Sequence, residues 1–274
     1  MADLVVGARC TSGDVQGSIA RSGVAGLSRV DLGRTNWFTP FGLVSVLAFI
    51  DRQRREGNEV EFVAPVNRDR GSYLYRMGMG DRLDELGVVH RLPFVPARRN
   101  SGLVELHSFD SVSSMSGLAE HIHDAVAPLD AVAAGALHRS LSEAGENVEE
   151  HSGLSNGFLA AQWTKDWGTT PTLRFAVADA GRGFLGNLAA FGATTDAHAL
   201  TMALGGTSSA PGRGRRGGLK LLSSHLVGLG GTIVVSSGAS KVSQDASSTA
   251  VRDFVEPFLG SVFEGTLPLG TGPK

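Results

Sequence analysis

The sequence predicts an α/β fold in two unequal parts. Residues 28–87 run strand, helix, strand, helix with short turns, the order of a small α/β unit. The C-terminal half places a long amphipathic helix ahead of two strands joined by a turn-rich connection, then helices, then further strands. A third observation concerns function. The chain has 274 residues and 37 glycines, roughly double the ~7% average. These cluster in the C-terminal half, where side-chain-free backbone can approach a ligand closely.

Composition narrows the classes. The length suits one large or two ordinary domains. A net charge of −2 gives no bulk attraction to nucleic acid or to an anionic membrane. The longest uncharged apolar stretch, near Phe38–Ile50, is too short to span a bilayer. Met1-Ala-Asp-Leu4 lacks the basic and apolar regions of a signal peptide. A single cysteine, Cys10, excludes a disulfide framework and fits a reducing, cytoplasmic compartment.

In order along the chain, residues 1–30 hold one or two short strands, and Ser28–Leu32 is the better strand. Thr39-Pro40 starts a helix, Thr as N-cap and Pro at the first position. Phe41, Val44, Leu47 and Ile50 recur at helical spacing, and Gly57 closes the helix. Glu59–Pro65 alternates as a strand. Asp69–Leu86 reads as one helix, with Tyr73, Met77 and Leu83 or Leu86 inward and Gly87 as its cap. The proline-rich, basic stretch 91–102 marks a boundary. Leu103–Phe109 reads as a strand and Ser114–Val126 as a helix. His121 and His123 there fall on different faces, as surface or boundary histidines rather than metal ligands. Pro128 opens the next helix, which runs to about His151. Phe158–Trp163 and Thr172–Ala178 follow as strands, Asp196–Leu204 and Leu219–Leu229 as helices, and Thr232–Ser236 and Phe263–Leu269 as strands. Residues 205–218 read as a mobile loop and 237–250 as a loose, polar one.

The helix ending at His151 carries the chemistry. Glu143, Asn147, Glu150 and His151 fall within an arc of roughly 100°, beside an apolar stripe of Leu137, Leu141, Ala144 and Val148. One face packs into a core; its neighbour offers a carboxylate, an amide oxygen and an imidazole to a cleft. Two more clusters follow. Asp179-x-Gly181-x-Gly183 ends a strand, and Gly212-x-Gly214-x-x-Gly217-Gly218-Leu219 opens a helix. Taken singly they are ambiguous: an acidic helix face is often solvated, Asp-x-Gly-x-Gly is often a turn, and a Gly-rich run with Arg213, Arg215 and Arg216 is often a solvated linker.

Order and spacing together resemble the GHKL superfamily of ATP-binding domains, which includes DNA gyrase, the heat-shock chaperone ATPase, histidine kinases and mismatch-repair ATPases. Ser142–Ser152 is similar to the first motif of that superfamily, in the form carried by anti-sigma-factor serine kinases, with Glu, Asn and His at this spacing. Asp179–Gly183 is similar to the second motif and Gly212–Leu219 to the third, and Glu264–Leu269 to the closing strand. The resemblance covers roughly residues 128–270. It implies a Bergerat-type α+β two-layer sandwich over 128–274 that binds ATP and Mg²⁺, with 101–127 as a connecting strand and helix.

On that resemblance Asp179 accepts a hydrogen bond from the adenine amino group, and Gly181 and Gly183 let base and sugar approach the backbone. Asn147 offers Mg²⁺ a neutral oxygen. Glu143 polarises an attacking water or hydroxyl. Gly214, Gly217, Gly218 and Leu219 belong to the phosphate-binding loop, with N–H groups cradling phosphate at a helix start. Residues 205–216 form the lid. His151 either contacts phosphate or caps the helix. The third motif departs from its commonest form, because Arg216 stands where many relatives have glycine, and this leaves the individual phosphate contacts open.

Residues 28–90, within a unit spanning 1–100, resemble a STAS-like domain, the fold of anti-sigma-factor antagonists. The strand Ser28–Leu32, the turn into Thr39-Pro-Phe-Gly-Leu43, the helix, and Val60–Pro65 carry the likeness, and Tyr73–Gly78 is similar to the second helix of that family. The antagonists' phosphoacceptor serine is replaced here by Phe41, although Thr39 is near. Three functions stay open: ATP hydrolysis or phosphoryl transfer to a protein hydroxyl; an ATP-dependent interaction switch with a protein partner or a second copy in a homodimer; and a nucleotide-free scaffold. A histidine-kinase role is the weakest within the first, since His138 lies inside the binding helix and no separate phosphoacceptor hairpin is evident.

Overall fold

The computed structural model describes residues 2–21, 24–96, 103–128, 130–151, 156–164, 171–207 and 218–270. It is a mixed α/β structure of the α+β class. The first part contains β1 (Ala2–Val5), β2 (Arg9–Cys10), α1 (Ser12–Gly17), β3 (Ile19–Arg21), β4 (Leu27–Asp31), β5 (Trp37–Phe38), α2 (Pro40–Arg55), β6 (Glu59–Val63), α3 (Arg68–Arg76) and α4 (Met79–Glu85). One sheet has the order β3-β1-β4-β6; β4 pairs parallel with both β1 and β6, and β3 is an antiparallel edge. Parallel neighbours need a crossover, and α2 supplies it between β4 and β6. A second, two-stranded pair joins β2 to β5.

The start of α2 follows the expected chemistry. The Thr39 hydroxyl accepts the Gly42 N–H at 3.3 Å and donates to the Cys10 carbonyl at 3.2 Å. Thr39 and Phe41 are both buried, so the start of α2 is a packed helix cap. The helix differs from expectation in how much it buries. Beyond Phe41, Val44, Leu47 and Ile50, the residues Leu43, Val46, Ala48 and Phe49 on its other faces are also covered. A helix apolar all round needs neighbours all round, and α2 has a sheet on each side.

The single helix expected over Asp69–Leu86 is instead two. Gly78 takes φ +82°, a left-handed conformation that ends α3 and lets Met77 accept the Leu106 N–H at 2.8 Å. Met77 and Leu83 are buried as expected, together with Leu74.

The second part contains β7 (Leu103–Phe109), α5 (Val112–Val126), α6 (Ala131–His151), β8 (Gly157–Thr164), β9 (Thr172–Asp179), α7 (Gly183–Leu188), α8 (Asp196–Gly205), α9 (Gly218–Gly228), β10 (Thr232–Gln244) and β11 (Thr249–Pro268). Its five-stranded sheet is antiparallel throughout, in the order β10-β11-β9-β8-β7. The start of α6 is Ala131 rather than Pro128, because the Asp130 carboxylate accepts the N–H groups of Val132 and Ala133 at 3.1 and 3.0 Å. Strand alternation divides the core. Phe158, Ala160, Ala176, Ala178 and Val262 face α2 and share one apolar cluster with β1, β4 and α2. Leu159, Ala161, Phe175, Val177 and Leu267 face the other way and join Leu137, Leu141, Leu222 and Leu226 of α6 and α9. The layers are therefore sheet, α2, sheet, helices, and packing runs across the segment expected to divide the chain.

Residues 237–250, expected as a loose loop, are mostly paired strand. Ser240 to Gln244 pair with Asp253 to Thr249, and the Asp245 carboxylate closes the turn on the N–H groups of Ser247 and Ser248 at 2.7 and 2.8 Å. Val242 is buried there, and so are two serines, Ser237 donating to the Gly260 carbonyl and Ser240 to the Asp253 carboxylate.

Glu264 of β11 is buried against the start of α2, where it accepts the Phe41 backbone N–H, with Arg174 and Lys241 nearby. Burial outweighs these partners and pushes its carboxyl from 4.5 up to about 7. The folded state thus holds this proton more tightly than the unfolded chain. Stability is highest below the unfolded value and falls as pH rises from 4.5 to about 7, by roughly 3 kcal/mol. Glu264→Gln is expected to remove that fall. Urea midpoints at pH 5 and pH 8 test this: the variant should exceed wild type at pH 8, and parallel pH dependence would contradict it.

Candidate functional site

The C-terminal end of β9 places Asp179 in the core with its carboxylate held at both oxygens. Oδ1 accepts the Gly181 N–H at 2.7 Å, and Oδ2 accepts the Ser261 hydroxyl from the neighbouring strand β11. Ser261 stands directly opposite Asp179 in the register. Asp179 is 5% exposed, and burial raises its carboxyl above the usual range, opposed by the hydrogen bonds from Ser261 and Gly181. Each carboxylate oxygen has two lone pairs, so acceptor capacity remains for a ligand donor.

Glycines shape the backbone around it. Gly183 takes φ +70°, and a side chain there would overlap the Ser237 hydroxyl. Ser237 accepts the Phe184 N–H at 3.0 Å and donates to the Gly260 carbonyl at 2.9 Å, tying the start of α7 to β11. Gly260 has φ +119°, and a Cβ there would overlap the Asp179 carbonyl oxygen. Gly260→Ala adds left-handed strain to a backbone clash, so it is expected to lower stability by roughly 3 kcal/mol. Urea denaturation checks this; a loss below about 1 kcal/mol would show that β11 relaxes freely here.

On α6, the stripe Leu137, Leu141, Ala144 and Val148 is buried as expected. Gly145 lets Met115 of α5 pack against the helix. Glu143 lies on the adjacent face, directly over Gly218, the first residue of α9; a Cβ on Gly218 would overlap its carboxylate. Leu219, next along α9, is buried in the helix-side core. The expected acidic residue and the expected phosphate-loop terminus are thus in contact.

The remaining predicted residues divide clearly. Asp179, Gly181 and Gly183 sit in one turn between β9 and α7. α7 packs on α8, α8 on α9, and α9 on α6, so these helices connect that turn to Glu143. Asn147 and His151 lie farther along α6, with their side chains, like that of Glu150, outside the described residues. Gly214 and Gly217, and the expected lid from 208 onward, also lie outside them. Among the described residues no group of three or more His, Cys, Asp or Glu is placed to hold a metal ion.

Ser261, Ser237 and Gly260 were not foreseeable as site residues. Their partners are set by the β9–β11 and β10–β11 registers, which no local sequence pattern encodes.

No protein-family model, curated protein or solved structure matches the chain.

Proposed function

We propose that this chain is an ATP-binding protein of the GHKL type, related in form to the anti-sigma-factor serine kinases, with a STAS-like unit before it. It carries out Mg²⁺-dependent ATP hydrolysis or phosphoryl transfer to a protein serine or threonine. The observation that supports this most is the seating of Glu143 on Gly218, with the Asp179–Gly183 turn connected to it through α7, α8 and α9.

In this reading Asp179 accepts the adenine amino group. The N–H groups of Gly218 and Leu219 donate to phosphate oxygens at the start of α9, where the helix dipole favours negative charge. Glu143 takes the proton from the attacking water or hydroxyl. Asn147 would hold Mg²⁺ together with the nucleotide's own phosphates, and the ion when bound offsets charge on the transferring group.

The packing of α2 against β8, β9 and β11 favours a second use of the same site. ATP binding changes an interface with a protein partner or a second copy, with little turnover. In either case the working environment is read as cytoplasmic; among the described residues no helix is long and apolar enough to cross a membrane.

A ligand that binds only the folded state raises its melting temperature. ATP with Mg²⁺ should therefore raise Tm and GTP should not. Incubation with γ-labelled ATP and candidate partner proteins then separates transfer from hydrolysis. Equal Tm with and without ATP would overturn the proposal.

A further inference from the structure

We propose that Arg52 of α2 is a positioning residue for the base pocket, through which the N-terminal unit sets nucleotide affinity and purine selectivity; this rests on the ATP reading above. Arg52 lies in the last turn of α2, and its guanidinium Nη1 donates to the Ala180 carbonyl at 3.4 Å. Its Nε is held by the Glu56 carboxylate at 2.6 Å. Ala180 is fully buried between Asp179 and Gly181.

The peptide group joining Ala180 to Gly181 is consequently gripped at both ends. Its carbonyl accepts from Arg52, and its N–H donates to Asp179 Oδ1. With the hydroxyl and the backbone N–H of Ser261, that N–H is one of three donors that orient the Asp179 carboxylate. A peptide preceding glycine flips readily, because glycine tolerates both signs of φ. A flip here would withdraw the N–H from Asp179 and turn the carbonyl oxygen toward it. Arg52 opposes this by a charge-assisted bond to the carbonyl. The helix carrying Arg52 is fixed by the sheet on either side, so its position reports the packing of the N-terminal unit. The peptide plane is the two-position element that both the nucleotide and the N-terminal unit bias.

Arg52 touches no expected ligand position, so its effect must pass through Asp179. Calorimetric titration of ATP and of GTP into the full chain tests this, with urea stability measured in parallel. Arg52→Ala should weaken ATP about tenfold and narrow the ATP-to-GTP ratio. Arg52→Lys, which keeps a cationic donor, should recover most of both. Should Arg52→Ala fail to fold, Arg52→Gln carries the test with the same expected result. If wild type binds ATP and the neutral variants match it in affinity and selectivity, the role of Arg52 is refuted while the ATP site stands. If wild type binds neither nucleotide, the ATP reading fails and this inference with it.

Discussion

Glu143→Ala is expected to lower ATP turnover at least about 100-fold while ATP still raises the melting temperature. A positioned general base contributes roughly 10²–10⁴ in rate, and the carboxylate of Glu143 is already seated at the first residue of α9, beside the N–H groups assigned to phosphate. The apolar stripe that fixes α6 is on a different face, so truncating Glu143 leaves Leu137, Leu141, Ala144 and Val148 packed. The groups proposed for base, sugar and phosphate are also left in place, which is why binding and turnover should separate. Phosphate release measured beside a thermal-shift titration reads both. Unchanged turnover would remove Glu143 from the mechanism, and loss of both binding and turnover would make it a phosphate-loop support instead.

Asp179→Ala should cut the ATP-dependent rise in Tm to half or less at ligand concentrations that saturate wild type. A hydrogen bond to a charged group contributes about 1.5–3 kcal/mol, equivalent to roughly tenfold to hundredfold in affinity. In the proposed reading the carboxylate is the acceptor that selects an amino group over a carbonyl at the purine edge, so discrimination against GTP should disappear as well. Removing it also leaves the Ser261 hydroxyl and the Gly181 N–H without their present partner in a buried turn. Some loss of stability is therefore expected without ligand, and the comparison must be made on the difference between liganded and free Tm. An ATP-induced rise equal to that of wild type would move the base elsewhere.

Short-range chemistry in the sequence located several local elements. Thr39-Pro40 started α2, the stripe from Leu137 to Val148 found its core, and Asp179 proved to be the last residue of β9. Each of these signals spans a few residues and depends on caps, helical spacing or strand ends. The long-range features were not legible. Nothing local showed that α2 is covered from both sides, because the second sheet that packs on it comes from residues more than a hundred positions later. Residues 237–250 looked like loop because the pairing of Ser240 to Gln244 depends on a partner, Asp253 to Thr249, that is itself exposed. Helix α1 is short, and its six residues include two glycines, so propensity argued against it. At the site, Asp179 was visible as a residue type, whereas Ser261 and Arg52 reach it only through sheet register and the seating of α2.

The most direct test of the proposed ATP site is equilibrium calorimetry of the wild-type chain with ATP and with GTP, both in the presence of Mg²⁺. Saturable binding of one ATP per chain and markedly weaker binding of GTP are expected. Absence of saturable ATP binding, or equal binding of the two purines, would contradict the assignment of Asp179, Glu143 and Gly218 to one nucleotide site.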